Sequence, residues 1–271
     1  MIRLGSEDTL TLTLGRDALV SGALQVDGDI DGGRAVYVDG LATYGDSVIT
    51  ASDTVADSSN PLFGDAETFA ASFDQIAADV GFANDERFIL RPAIAIESTG
   101  DLTVDSEFNL FEWRFGDDAP GVLTLRAGGN LLFNESLNDG FTNASTHTLE
   151  RTSESWSYKL VAGADLDAVD PLATNASSES GDIVLAPGTP GAGRRGATYT
   201  LIRTGTGNID LAAARDVVFG NQASVIYTSG IATDGVALSS RGDLGNRTYP
   251  DLGGDITLSA GRDVIGAPSN Q

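Results

Sequence analysis

Asp27-Gly28-Asp29-Ile30-Asp31-Gly32 sets carboxylates at alternate positions around glycine, which is the oxygen-ligand spacing of a calcium loop. The acid that would close such a loop at its twelfth position is missing, because Val38 stands there with Asp39 one place later. Asp27, Asp29 and Asp31 therefore read either as calcium ligands or as an Asp/Gly corner. Carboxylates recur after glycine at Asp101, Asp182 and Asp255, with Asn130 and Asn208 at the same kind of step. A catalytic pair needs two carboxyls in unlike environments within one cleft, so a residue repeated in every unit reads as a corner, and no catalytic residue is assigned. The pairs Arg16-Asp17, Arg215-Asp216 and Arg262-Asp263 read as turn residues with solvent-screened charges. Arg241-Gly242-Asp243 is both a cell-attachment tripeptide and one more Gly-Asp-Leu corner with Leu244. Trp113, Phe115, Trp156 and Tyr158 offer faces for stacking on sugars, or core packing if they point inward.

Composition narrows the chemistry further. With no cysteine and one histidine, His147, neither a thiolate nucleophile nor a zinc cluster can be assembled. The chain carries 16 basic and 39 acidic residues, a formal charge of −23, so its field repels nucleic acid. Its one lysine, Lys159, cannot make a polybasic membrane patch, and no apolar run is long enough to span a bilayer. The first residues lack the basic start and apolar middle of an export signal, so the chain reads as a segment of a longer protein. A hydrophobic content of 41% with 33 glycines fits a turn-dense folded chain and is too apolar for a disordered acidic tail.

The elements that must position these residues show as repeats. Leu10-x-Leu12, Leu102-x-Val104, Leu123-x-Leu125, Ile209-x-Leu211 and Ile256-x-Leu258 each start an alternating strand that runs through a turn into a second strand, and Ile183-Val184-Leu185 begins another. Spacings near multiples of 20 to 26 residues predict stacked units whose inward Leu, Ile and Val are covered only by neighbouring units. The expected fold is all-β: a right-handed parallel β-helix, or solenoid, with one inserted short helix and protruding loops. Nine or ten coils would make a rod about 45 Å long. Residues 1–51 and 92–271 read as solenoid coils, with irregular excursions at 141–180 and 186–198. Residues 52–91 read as an insertion, with a helix at about 65–80 that Asp65 caps and Gly81 stops, carrying Phe69, Phe73, Ile76, Ala77 and Val80 on one face.

Gly100-Asp101-Leu102-Thr103-Val104, Trp113-Arg114-Phe115, Gly121 through Leu131, Asn138-Asp139-Gly140-Phe141, Ser155-Trp156-Ser157-Tyr158 and Gly181 through Gly188 occur in an order that resembles the filamentous haemagglutinin-like large exoproteins. The resemblance runs from about Leu90 to the C-terminus. It implies a parallel β-helix, secretion through an outer-membrane transporter partner of a two-partner secretion system, and an extracellular or bacterial cell-surface location. The function so implied is that of a non-catalytic stalk and adhesion segment presenting loops to a host receptor, glycan, cell or surface, with no cofactor, no nucleic-acid partner and no membrane-spanning segment. Two other readings are a β-helix carbohydrate-active enzyme, lyase or hydrolase, and an acidic repeat module stabilised by calcium.

Overall fold

The structure, a computed structural model, describes residues 2–23, 30–83, 85–116, 118–141, 153–186, 200–231 and 251–268. The amino-terminal part runs β1 (Ile2–Arg3), β2 (Thr9–Gly15), α1 (Arg16–Val20), β3 (Ile30–Asp31), β4 (Ala35–Gly45), β5 (Val48–Ile49), α2 (Pro61–Ala70) and α3 (Phe73–Asp79). It is followed by β6 (Phe88–Ser98), β7 (Leu102–Val104), β8 (Phe108–Asn109), β9 (Val122–Ala127), β10 (Leu131–Phe133) and β11 (Leu137–Asn138). The carboxy-terminal part adds β12 (Ser157–Ala162), β13 (Ile183–Leu185), β14 (Leu201–Thr204), β15 (Ile209–Ala213), β16 (Val217–Phe219), β17 (Val225–Thr228), β18 (Ile256–Ala260) and β19 (Val264–Ile265).

From β6 onward the chain visits three parallel sheets in rotation. The largest, seven-stranded, has the order β18-β15-β12-β9-β6-β4-β2; a six-stranded sheet runs β19-β16-β13-β10-β7-β5 and a four-stranded one β17-β14-β11-β8. Registers hold like over like. Leu123 lies against Tyr158, Tyr158 against Ile209, and Ile209 against Ile256, so each inward residue stacks on an equivalent one in the next layer.

The expectation of an all-β right-handed parallel β-helix with one short helix is corrected by this architecture. Among the described residues there are three helices, and the seven-stranded sheet curls into a half-barrel beside two further parallel sheets, an arrangement closer to an α/β fold than to one solenoid. The physical reason is that the core is divided. Ile94, Ile96, Leu123, Leu160 and Leu211 pack against residues of the other two sheets, such as Val104, Phe133 and Leu137. Val36, Val38 and Leu90 instead pack against helix residues Leu19, Phe69 and Ile76. Strand lengths divide in the same way: β4 and β6 have 11 residues each, whereas β7 and β10 have three. The seven stacked strands measure roughly 29 Å at the usual interstrand spacing of about 4.8 Å, shorter than the expected rod.

The helical segment also differs from its expected form. It is two helices, broken at Ala71-Ser72, and its amino-terminal cap is Asn60, whose side chain accepts from the Leu62 amide at 3.0 Å with Pro61 in the first turn. The buried Asn60 amide group donates in turn to the Asp53 and Val55 carbonyls at 3.0 and 2.8 Å. Phe69 of α2 presses onto the sheet where β4 has Gly40, and a Cβ there would strike the ring. Gly40 thus sets how closely helix and sheet approach.

Arg16, expected as a screened turn residue, is buried. Its guanidinium donates to the Gly40 carbonyl at 3.2 Å and the Ala93 carbonyl at 3.0 Å, and lies over the Phe69 ring at 5.2 Å. It also reaches the Tyr44 hydroxyl, which donates to Asp65 at 2.9 Å. Asp65, read as a helix cap, instead ties α2 to the strand carrying Tyr44. Burial lowers the Arg16 pKa and pushes Tyr44 up to about 12, with the Asp65 hydrogen bond adding to the latter.

Candidate functional site: a cleft at an open strand edge

Positions that looked able to do chemistry mostly form a ladder between layers. Asp101 accepts from the Asn130 amide at 2.7 Å; the Asn130 side chain accepts from the Gly181 and Asp182 amides at 3.0 Å. Asp182 accepts from the Asp216 amide at 3.1 Å, and Asp216 from the Asp263 amide at 3.1 Å. Asn208 does the same for the Asp255 amide at 2.9 Å. Each side chain satisfies a corner N–H of the following layer, a donor that would otherwise lack a partner where the strand turns. Arg215 pairs with Asp182 at 3.5 Å and Arg262 pairs with Asp216, so two of the stacked carboxylates meet a cation from the next layer.

Trp113, Phe115, Trp156 and Tyr158 are buried, which excludes them as sugar-stacking faces. They surround a knot of polar groups drawn from segments far apart in sequence. Arg114 donates through one nitrogen to both Asp139 oxygens at 2.9 Å, while the Trp156 and Gly140 amides each reach that carboxylate at 2.7 Å. The Trp156 indole donates to the Trp113 carbonyl at 2.8 Å, and the two rings meet edge to face at 6.4 Å. Arg203, fully buried, donates to Asn138 at 2.6 Å and to the Tyr227 hydroxyl at 2.9 Å, and lies 3.8 Å from the Phe141 ring centre. Burial pushes the Asp139 carboxyl above its ordinary value, opposed by Arg114 and the two amides; burial likewise raises Tyr158 well above a free phenol, with the Asp139 charge adding to it. Among the described residues the buried Arg114 Nε and Ser155 hydroxyl lack a hydrogen-bond partner, and the remaining bonds tie successive layers together.

The cleft lies elsewhere, where β6 is longer than its neighbour. β4 pairs with β6 from Val36 and Phe88 onward, but β9 joins β6 only at Ala93 and Val122. The Val36 amide donates to the Arg87 carbonyl at 2.8 Å, and successive residues of a parallel strand face opposite neighbours. Ile89 and Arg91 therefore bond to β4, whereas Phe88, Leu90 and Pro92 face the side where β9 has not yet begun. Proline is tolerated there because its missing N–H falls on that open side. The Phe88 amide turns back to the Asp85 carbonyl at 3.0 Å, and among the described residues no backbone group pairs with Leu90 on the open side.

The chain leading into β9 forms the opposite wall. Gly116 and Asp118 hold φ of 56° and 60°, turning the backbone so that Phe115 and Ala119 bridge each other. Between this wall and the edge of β6 is a cleft of about 580 Å³ lined by Phe73, Phe88, Leu90, Ala119 and Pro120. Phe73 is 40% exposed, with its ring 5.4 Å from Phe88, which stacks at 5.2 Å on Phe82. Exposed Glu86, Asp118 and Glu154 stand at the rim. Arg91 is the one cation lining it among the described residues; it binds both Asp39 oxygens at 2.7 and 3.1 Å and lies 4.1 Å from the Tyr37 ring centre. The cleft thus joins an apolar wall, a strand edge without a paired strand among the described residues, and an acidic rim.

Of the proposed calcium ligands, Asp31 lies in β3, and its carbonyl accepts from the Leu4 amide at 2.9 Å; Asp27 and Asp29 are outside the described residues. Among the described residues no group of three or more His, Cys, Asp or Glu is placed to hold a metal ion. Arg241-Gly242-Asp243, His147 and nearly all of 186–198 also fall outside the described residues. Among the described residues no helix is long and apolar enough to cross a membrane. The sequence reasoning did not single out Leu90, Glu86 or the Arg114–Asp139 pair. Pro92 inside an otherwise continuous strand run was the signal for an open edge. No protein-family model, curated protein or solved structure matches the chain.

Proposed function

We propose that this chain is a non-catalytic stalk and adhesion segment of a secreted bacterial surface exoprotein, holding loops and clefts in fixed positions for attachment to a host, cell or other surface. The observation that carries the reading is where the polar side chains are spent. The recurrent Asp and Asn residues cap amides of the neighbouring layer, and Arg114, Asp139 and Arg203 are locked in the buried knot. Such investment stiffens a stack of layers, which is what a presenting scaffold requires. The ordered resemblance of Trp113-Arg114-Phe115, Asn138-Asp139-Gly140-Phe141 and Ser155-Trp156-Ser157-Tyr158 to large exoproteins supports the same reading, since these segments are the ones that meet in the knot. Export would run through an outer-membrane transporter partner.

The test is retention of beads coated with this chain on epithelial layers and on glycan-coated glass, against beads carrying an unrelated protein of equal negative charge. Retention above that control, with no new reducing ends released from acidic polysaccharides, is the expected result. Retention equal to the control overturns attachment, and release of reducing ends or unsaturated products overturns the non-catalytic reading in favour of a carbohydrate-active enzyme.

A further inference from the structure

The geometry points to the cleft along Phe88–Pro92 as a docking site for an extended basic peptide segment of another protein, which adds to the seven-stranded sheet beside β6. The inference does not depend on the adhesion reading, because it rests on the strand edge and its surroundings alone. Leu90 presents both an N–H and a carbonyl on the side that β9 leaves uncovered, and the Phe88 carbonyl faces the same way. An extended segment is the ligand that satisfies alternate donors and acceptors on a strand edge, and its alternate side chains point into or out of the groove.

The wall and the rim identify the rest of the ligand. Phe73 and Phe88, with Ala70 and Pro120, offer an apolar wall for one inward aromatic or branched side chain. Glu86 and Glu154 at the rim, on a chain of net charge −23, select lysine and arginine at the outward positions. Arg91 does not offset them, since its guanidinium is already paired with Asp39 and stacked on Tyr37. A second copy of this acidic chain is a poorer occupant by the same charge argument.

The probe is a fluorescein-labelled octapeptide alternating lysine with valine and phenylalanine, followed by fluorescence anisotropy on the full chain. Controls are the same peptide N-methylated at alternate residues, which keeps its charge but blocks edge bonding, and its glutamate counterpart. The expected result is saturable binding in about the micromolar range. N-methylation should weaken it at least about tenfold, as should Glu86→Lys with Glu154→Lys, which also reduces its salt dependence. Leu90→Pro removes a donor that faces the cleft while leaving the β4 ladder intact; if that variant fails to fold, Phe73→Ala reads the same groove from the wall. Equal binding of the N-methylated peptide would overturn strand addition and leave charge attraction alone. Binding of the glutamate peptide, an absence of saturable binding, or self-association displaced by no peptide would overturn the proposal outright. So would a Leu90 amide that exchanges in the free chain as slowly as that of Ile89, because the edge would then already be covered.

Discussion

The knot around Asp139 and the cleft beside Leu90 lie at opposite ends of one design choice, how completely a parallel strand's polar groups are matched. In the knot, a fully buried carboxylate receives Arg114 and two backbone amides within 2.9 Å, and both indoles find carbonyls. In the cleft, β6 outruns β9 by five residues, Phe88 to Pro92, and among the described residues no strand pairs with that edge between the apolar walls. The difference teaches that matching, more than hydrophobicity, separates scaffold from docking surface here, since both regions are rich in aromatic rings. A densely hydrogen-bonded buried network rigidifies its surroundings, and an open strand edge invites another strand.

The comparison breaks most visibly if the knot is cut. Asp139→Ala leaves the Arg114 charge buried without its partner, and should cost about 3–5 kcal/mol of stability in urea unfolding followed by tryptophan fluorescence. Replacing both partners with apolar residues of similar volume should recover much of that loss, whereas a variant as stable as the parent would show that the pair carries nothing.

Gly121 stands between the two regions, against the Pro92 carbonyl at the end of the open edge and the Trp156 ring of the knot. A methyl group there must displace one or the other. Gly121→Ala is expected to destabilise by about 1–3 kcal/mol and to shift the tryptophan emission, both measurable in the same unfolding experiment.

The smallest expected effect comes from the ladder, where buried Asp216 pairs with half-exposed Arg262. Arg262 holds the Asp216 carboxyl below the usual carboxylate value of 3.8, so this pair stabilises the folded chain above that value. Its contribution is lost as pH falls through the lower, folded-state pKa. Arg262→Gln should therefore lower the thermal midpoint slightly at neutral pH, leave it unchanged below the folded-state pKa, and so flatten the acid limb between them. An unaltered acid limb would show that the ladder's charges are fully screened.

Much of the strand pattern was legible along the chain. Leu123-x-Leu125, Ile209-x-Leu211 and Ile256-x-Leu258 alternate as half-buried strands do, and they stack through Tyr158 and Leu160 of β12 in one continuous register. The Gly-Asx steps were legible as corners, because glycine and short polar side chains satisfy turn backbone locally. Leu102-x-Val104 and Ile183-x-Leu185 repeat the same pattern yet fall in the six-stranded sheet. Periodicity records which face of a strand is inward, and it carries no label for the sheet. The helical segment was half visible: the apolar spacing of Phe69, Ile76 and Ala77 is helical, but the break at Ala71-Ser72 and the start at Asn60-Pro61 follow from how α2 and α3 each settle onto the sheet.

By itself the sequence determined the alternation of strands, the corners and the acidic surface, because these depend on neighbours a few residues apart and on net charge. The tertiary structure alone decided that Arg16 is buried, that Arg114 meets Asp139 across 25 residues, and that β6 extends past β9 to leave Leu90 facing a cleft. Those outcomes depend on relative strand length and on contacts between distant segments. A local pattern of residue types does not encode either.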